Sequence, residues 1–148
     1  MDYYKISING RQFEKHYLIY IIRLRHQSKK TYYYVGQTGD RHYKTARPAF
    51  RRLAGHLGDQ SRSTQNQLYK AIVEQILKKS PGPKQSFSNE LKAEVSNFLV
   101  QSDIDMHVFP VLQFDENVGQ ELHRQNVLYV ENVEKHLIQK TNKPTGIR

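Results

Sequence analysis

Arg52 and His56 stand four residues apart in a stretch whose apolar residues, Phe50, Leu53, Ala54 and Leu57, repeat at i, i+3, i+4 and i+7. That spacing predicts a helix beginning after Pro48 and stopped by Gly58, with a guanidinium and an imidazole one above the other at the rim of its apolar stripe. Hydrolysis of a phosphodiester needs an activated water, a neutralised non-bridging charge and a stabilised leaving oxygen. The planar fork of an arginine suits the phosphate because it can bind two oxygens at once. A carboxylate far along the chain is the third candidate. Glu134 has Val130 at i−4 and Leu137 and Ile138 at i+3 and i+4, so it lies on or beside the buried stripe of its own helix. A carboxylate in that position is costly unless it is paired or holds a cation. One such group, with waters and substrate oxygens, is enough for Mg²⁺, which keeps much of its hydration. Glu131, one turn earlier, is the fallback ligand. Each feature also has a plainer explanation. An Arg and a His four apart are ordinary on a solvated helix face, and an inward Glu often pairs with a buried Arg or Tyr.

The elements that must position these groups can be read from the pattern. Residues 17–24, YLIYIIRL, form a continuous apolar run rich in β-formers, which predicts a strand covered on both faces. A polar loop over 25–30 leads to a second strand, residues 31–35, ended by Gly36. Antiparallel pairing is the short connection between them. Tyr20 shares a strand face with Leu18 and Ile22, and Tyr34 shares one with Tyr32, so two phenols could be aimed at one place. After a basic loop and the Arg52 helix, a second helix is expected from Ser63 or Thr64, with Leu68, Ile72 and Ile76 on one stripe. The Ser80-Pro81-Gly82-Pro83 breaker ends it. A third helix is predicted over 89–100, with Leu91, Val95, Phe98 and Leu99 inward, and a third strand over 106–114. Pro110 cannot donate to a ladder, which confines that strand to a sheet edge or a bulge. A long last helix over 118–140 has Leu122, Val130, Val133, Leu137 and Ile138 among its apolar positions. The expected fold is a small α+β domain, a mainly antiparallel three-stranded sheet flanked by helices. Residues 1–148 read as one domain, with 80–105 as a helical insertion within it.

In this order the residues resemble the GIY-YIG nuclease family. Leu18-Ile19-Tyr20 ends in the tyrosine of the first signature, and Tyr34-Val35-Gly36 looks like the second. Arg52-Leu53-Ala54-Gly55-His56 is similar to the Arg-x-x-x-His of the family's first helix, and Glu134 followed by Leu137-Ile138 is similar to the acidic position of its last helix. Residues 66–72, NQLYKAI, look like the second helix of many members. The resemblance runs from about 17 to 144, interrupted over 80–105. It implies a metal-dependent endonuclease using Mg²⁺, or another divalent cation such as Mn²⁺. It also implies that Tyr20, Tyr34, Arg52, His56 and Glu134 form the catalytic set, that Glu134 is the metal ligand, and that one tyrosine positions or deprotonates the water. A free phenol has a pKa near ~10, so it needs a metal or a cation nearby to do so. Which tyrosine acts stays open. The chain departs from the pattern at Leu18, where the first glycine is expected, and at Gln37, where many members carry a lysine. Lys44 is a distant substitute for that lysine. Asn142 is the nearest counterpart to the family's late asparagine.

Charge points to the same class of partner. The 148 residues carry a net charge of +9, and a surplus of that size favours a polyanion because Lys and Arg displace counterions from phosphates. DNA is the expected substrate, docked by Arg41, Lys44, Arg47 and Arg51. The absence of Cys excludes disulfides and Cys-based zinc sites. No His-Glu-x-x-His, Gly-x-Ser-x-Gly or Gly-rich phosphate loop occurs. Glu90-Leu91-Lys92 has the Glu-x-Lys form of another nuclease class, but it lies in a polar helix with no Pro-Asp before a strand upstream. The opening residues lack the apolar core of a secretion signal and no run is long enough to span a bilayer, so the expected location is cytoplasmic. The competing readings are a nucleic-acid-binding module that kept the scaffold without catalysis, and an α+β protein whose charge is incidental. No separate DNA-reading domain is evident. Specificity would then come from the loop over 37–47, the insertion, dimerisation or a partner.

Overall fold

The computed structural model describes residues 1–58, 66–82 and 87–141. Three strands make the sheet: β1 (His16–His26), β2 (Thr31–Gln37) and β3 (Ser102–Gln113). Their order is β2-β1-β3, with both pairings antiparallel. The polar 27–30 turn closes the β1–β2 hairpin with Lys29 in the left-handed region, φ 65°. The fold is α+β, as the pattern requires.

β1 is the shared wall of two cores. Leu18, Tyr20, Ile22 and Leu24 point to one side, with Tyr34 of β2, and pack against α1 (Ala49–Gly58), α2 (Gln67–Ala71) and α3 (Asn89–Val100). Tyr17 and Ile19 point to the other side, with Val35, and meet α4 (Gln120–Thr141) through Val127 and Val130. This double coverage explains why the β1 sequence is apolar without alternation. α2 continues into a π-helical turn, Ile72–Ile76, and its Asn66 cap accepts from the Tyr69 N–H at 3.1 Å. The expected start at Ser63 or Thr64 lies outside the described residues. The stretch over 80–105 contributes to the core: Phe87, Val95 and Phe98 are buried in the first cluster. No helix among the described residues is long and apolar enough to cross a membrane.

Two details differ from the sequence reading, and Pro110 sits at the edge bulge expected of it. β3 begins at Ser102, four residues before the apolar run at Met106, because Asp105 is satisfied across the sheet. It accepts from Arg23 Nε at 3.1 Å and Nη2 at 2.7 Å, and that bond holds its carboxyl below the usual range. Pro110 lies in an edge strand and at a bulge. Tyr17 faces Leu112 while Leu18 faces Pro110, which leaves Val111 as the extra residue. On α4, Val130, Val133, Leu137 and Ile138 lie inward as expected, but Leu122 is 53% exposed, and His123 is fully buried in its place. His123 can occupy the interior because both ring nitrogens are used. Nε2 donates to the Asp40 carbonyl at 2.9 Å, and Nδ1 lies 2.7 Å from the Tyr17 hydroxyl.

Candidate active site

The inner face of α1 is built around His56 as well as its leucines. His56 is 3% exposed, whereas Ala54, expected inward, faces solvent. Buried polar groups must find partners, and His56 Nε2 lies 2.7 Å from the Tyr20 hydroxyl. One turn earlier, Arg52 donates from Nη2 to the same phenol oxygen at 3.2 Å. The phenol oxygen therefore accepts from the guanidinium and shares a second hydrogen bond with the imidazole. Tyr34 packs against both rings, stacked on Tyr20 at 6.5 Å between centroids and edge-on to His56 at 5.1 Å. Four of the five candidate residues thus form one contiguous cluster. Both tyrosines are fully buried within it.

Gly36 is what lets Tyr20 reach that position. It is the direct cross-strand partner of Tyr20, and a Cβ at residue 36 would fall on the end of the phenol ring. The glycine at position 36 has a steric reason. The tyrosine crosses the backbone of β2 with no room for a side chain.

Gly36 and Gln37 end β2, which is an edge strand, and a cavity of about 330 Å³ opens beside them. Arg52 enters its wall from α1, on one face of the sheet. Glu134 and Glu131 enter from α4, on the other face. Glu134 is half-buried there. The helices on opposite faces meet only because the sheet stops. The Tyr20 hydroxyl sits directly behind Gly36, one layer inside the wall.

The loop after β2 closes the cavity from a third side. Arg41 lines it and places its guanidinium bidentate on Glu131, Nε to Oε1 at 2.5 Å and Nη2 to Oε2 at 2.6 Å. That pairing, reinforced by the charge of Glu134, pushes the Arg41 pKa upward. Asp40 organises the turn: Oδ1 accepts from the His42 and Tyr43 N–H groups at 2.8 and 3.1 Å, and Arg47 lies 3.5 Å from Oδ2. Burial opposes charge on Asp40, yet these donors outweigh it and hold the carboxyl below its ordinary 3.8. The stabilisation it gives is therefore complete above that value and is lost only as pH falls through the lowered one.

Of the residues expected to dock phosphates, Arg41 lines the cavity. Arg47 lines the adjoining concavity together with Arg52. Lys44 is exposed on the loop, and Arg51 is exposed on α1. The fallback carboxylate, Glu131, is 5% exposed and held by Arg41, while Glu134 is the more open of the two. Asn142 lies outside the described residues. His123 and the Arg41–Glu131 pair are the parts the sequence reading missed. A His at an inward helical position and a lone Arg in a loop carry no local signal of their partners.

Glu134 and Glu131 are the carboxylates on this wall, and Arg41, Arg52 and Lys135 line it beside them. A hard divalent cation held there by one carboxylate would keep most of its waters. Among the described residues no group of three His, Asp or Glu side chains stands close enough to enclose a metal entirely with protein ligands.

No family model, no curated protein and no solved structure matches the chain.

Proposed function

We propose that this protein is a metal-dependent endonuclease that hydrolyses DNA phosphodiester bonds, similar in its chemistry to the GIY-YIG nucleases. The observation that carries the reading is the cavity at the end of β2, where Arg52 and Glu134 arrive from opposite faces of the sheet and the Tyr20–His56 pair lies directly behind. Two ends of a reaction are represented. A guanidinium can neutralise the phosphate, and a carboxylate can hold a hydrated cation.

Arg52 is the residue that touches the phosphate. Its guanidinium is held at the wall by the Tyr20 oxygen, and Tyr20 is held by His56. Because the phenol is fully buried, Tyr20 and His56 act through Arg52 as positioning residues, and Tyr34 fixes both rings. Such support matters, since a misplacement of about 1 Å can cost ~10²-fold in rate. Glu134 is the residue that would hold Mg²⁺ or Mn²⁺, and such an ion would supply activation of a water and neutralisation of phosphate charge. The +9 surplus supplies affinity for the polyanion.

The experiment is nicking of supercoiled plasmid by the purified protein with Mg²⁺, with Mn²⁺ and with EDTA. Open-circular product that requires the divalent ion is the expected result. Tight, salt-dependent plasmid binding with no nicking in either metal would replace hydrolysis with the binding-module reading.

A further inference from the structure

We propose that Tyr43 is a stacking platform for an unpaired base, so that the preferred substrate carries an extrahelical or single-stranded nucleotide beside the attacked phosphate. The proposal rests on the nuclease reading of the cavity. Tyr43 is 72% exposed between His42 and Lys44. An aromatic ring of that size left in water between two basic side chains is suited to a base flanked by phosphates. Bases stack on such rings whatever their sequence, and flanking polar and cationic side chains follow the backbone.

The ring is presented by a rigid support. Gln37 bonds both the N–H and the carbonyl of Gly39, and Gly39 pairs with Ala46 as an isolated bridge. Asp40 holds the Tyr43 N–H, the Tyr43 carbonyl accepts from Thr45 N–H at 2.8 Å, and the Asp40 N–H reaches the Thr45 carbonyl at 3.2 Å. His123 fixes the Asp40 carbonyl from α4. These bonds tie the base of the loop to β2 and α4 and leave the Tyr43 side chain in solvent. A preorganised platform loses little freedom when it binds. Arg41 and His42 of the same turn line the concavity that contains Arg52. Tyr43 stands two residues, at most about 7 Å of extended chain, from Arg41. A base on Tyr43 therefore places its own phosphate near the guanidiniums. In an intact duplex the bases are stacked on one another, and the ring has no partner.

The test uses a DNA duplex with a single 2-aminopurine bulge and the same duplex fully paired, in EDTA so that neither is cut. The wild-type chain is expected to quench the bulged probe and to bind it roughly tenfold more tightly than the paired one, the scale of one base stacked on an aromatic ring. Tyr43→Phe should keep the quench and the preference. Tyr43→Ala should lose both while binding the paired duplex as before. Because the side chain is exposed, far-ultraviolet circular dichroism of that variant should match wild type. Equal affinity for the two probes, or a quench that survives Tyr43→Ala, overturns the stacking role and leaves the nuclease reading standing. Failure of the wild type to bind either probe overturns both.

Discussion

Glu134→Ala is expected to abolish Mg²⁺-dependent cleavage while leaving DNA affinity close to wild type. The two activities draw on different residues. Affinity comes from a cationic surplus of nine charges, to which one carboxylate contributes a small repulsion. Cation capture depends on the carboxylate at the cavity wall. Glu131 cannot simply take over, since Arg41 already holds both of its oxygens. Folding should survive, because the Glu134 side chain is only half-buried and α4 keeps its packing through Val127 and Val130. Glu131→Ala gives the contrast. It removes the partner of Arg41 and loosens the loop from α4, so its expected signature is lower thermal stability with cleavage retained. Plasmid nicking beside a gel-shift titration reads both variants. Wild-type cutting by Glu134→Ala together with silence from Glu131→Ala would exchange the two carboxylates, and full activity in both would remove the metal site from α4.

Arg52→Ala should lower the cleavage rate by ~10²-fold or more, the usual consequence of deleting a positioned charge that stabilises a transition state. Arg52→Lys separates charge from geometry. A lysine restores the cation but neither the planar fork nor the donor geometry toward the Tyr20 oxygen. It should recover affinity for DNA without recovering most of the rate. The informative measurement is a single-turnover rate at saturating enzyme, which excludes weakened binding as the cause. A lysine variant that cuts at the wild-type rate would mean that Arg52 acts only as a point charge.

The sequence made the architecture legible wherever burial is simple. The apolar β1 run, the 89–100 helix and the proline at an edge bulge all follow from local pattern, because each is decided by which face meets water. Where side chains from distant segments satisfy one another, local pattern misplaced single residues. Leu122 is more apolar than His123, yet His123 is inside because Tyr17 and the Asp40 carbonyl await it. Asp103 and Asp105 break the apolar run of β3, yet the strand extends through them because Arg23 and Arg25 face Asp105. The candidate site was legible as residue types at helical and strand spacing. Its shape was not. Nothing in the spacing of Arg52 or Glu134 says that helices on opposite faces of a sheet meet around the end of its edge strand, nor that the phenol between them is sealed from solvent.

The position of β1 between two clusters has a consequence for how the molecule opens. Its backbone is hydrogen-bonded on both sides over most of its length, to β2 and to β3, and its side chains feed both cores. Neither core can come apart while the other keeps β1 in place, so the amide protons of residues 18–24 should exchange with deuterium only when the whole domain unfolds. The turn that bears Tyr43 is held by its own hydrogen bonds but lies outside both cores, so its amides should exchange earlier, by local opening of that turn. The protein would then anchor the phenol behind its cavity on the slowest-opening strand and carry the exposed Tyr43 ring on a turn that can open without either core, a contrast that hydrogen exchange read by mass spectrometry resolves peptide by peptide.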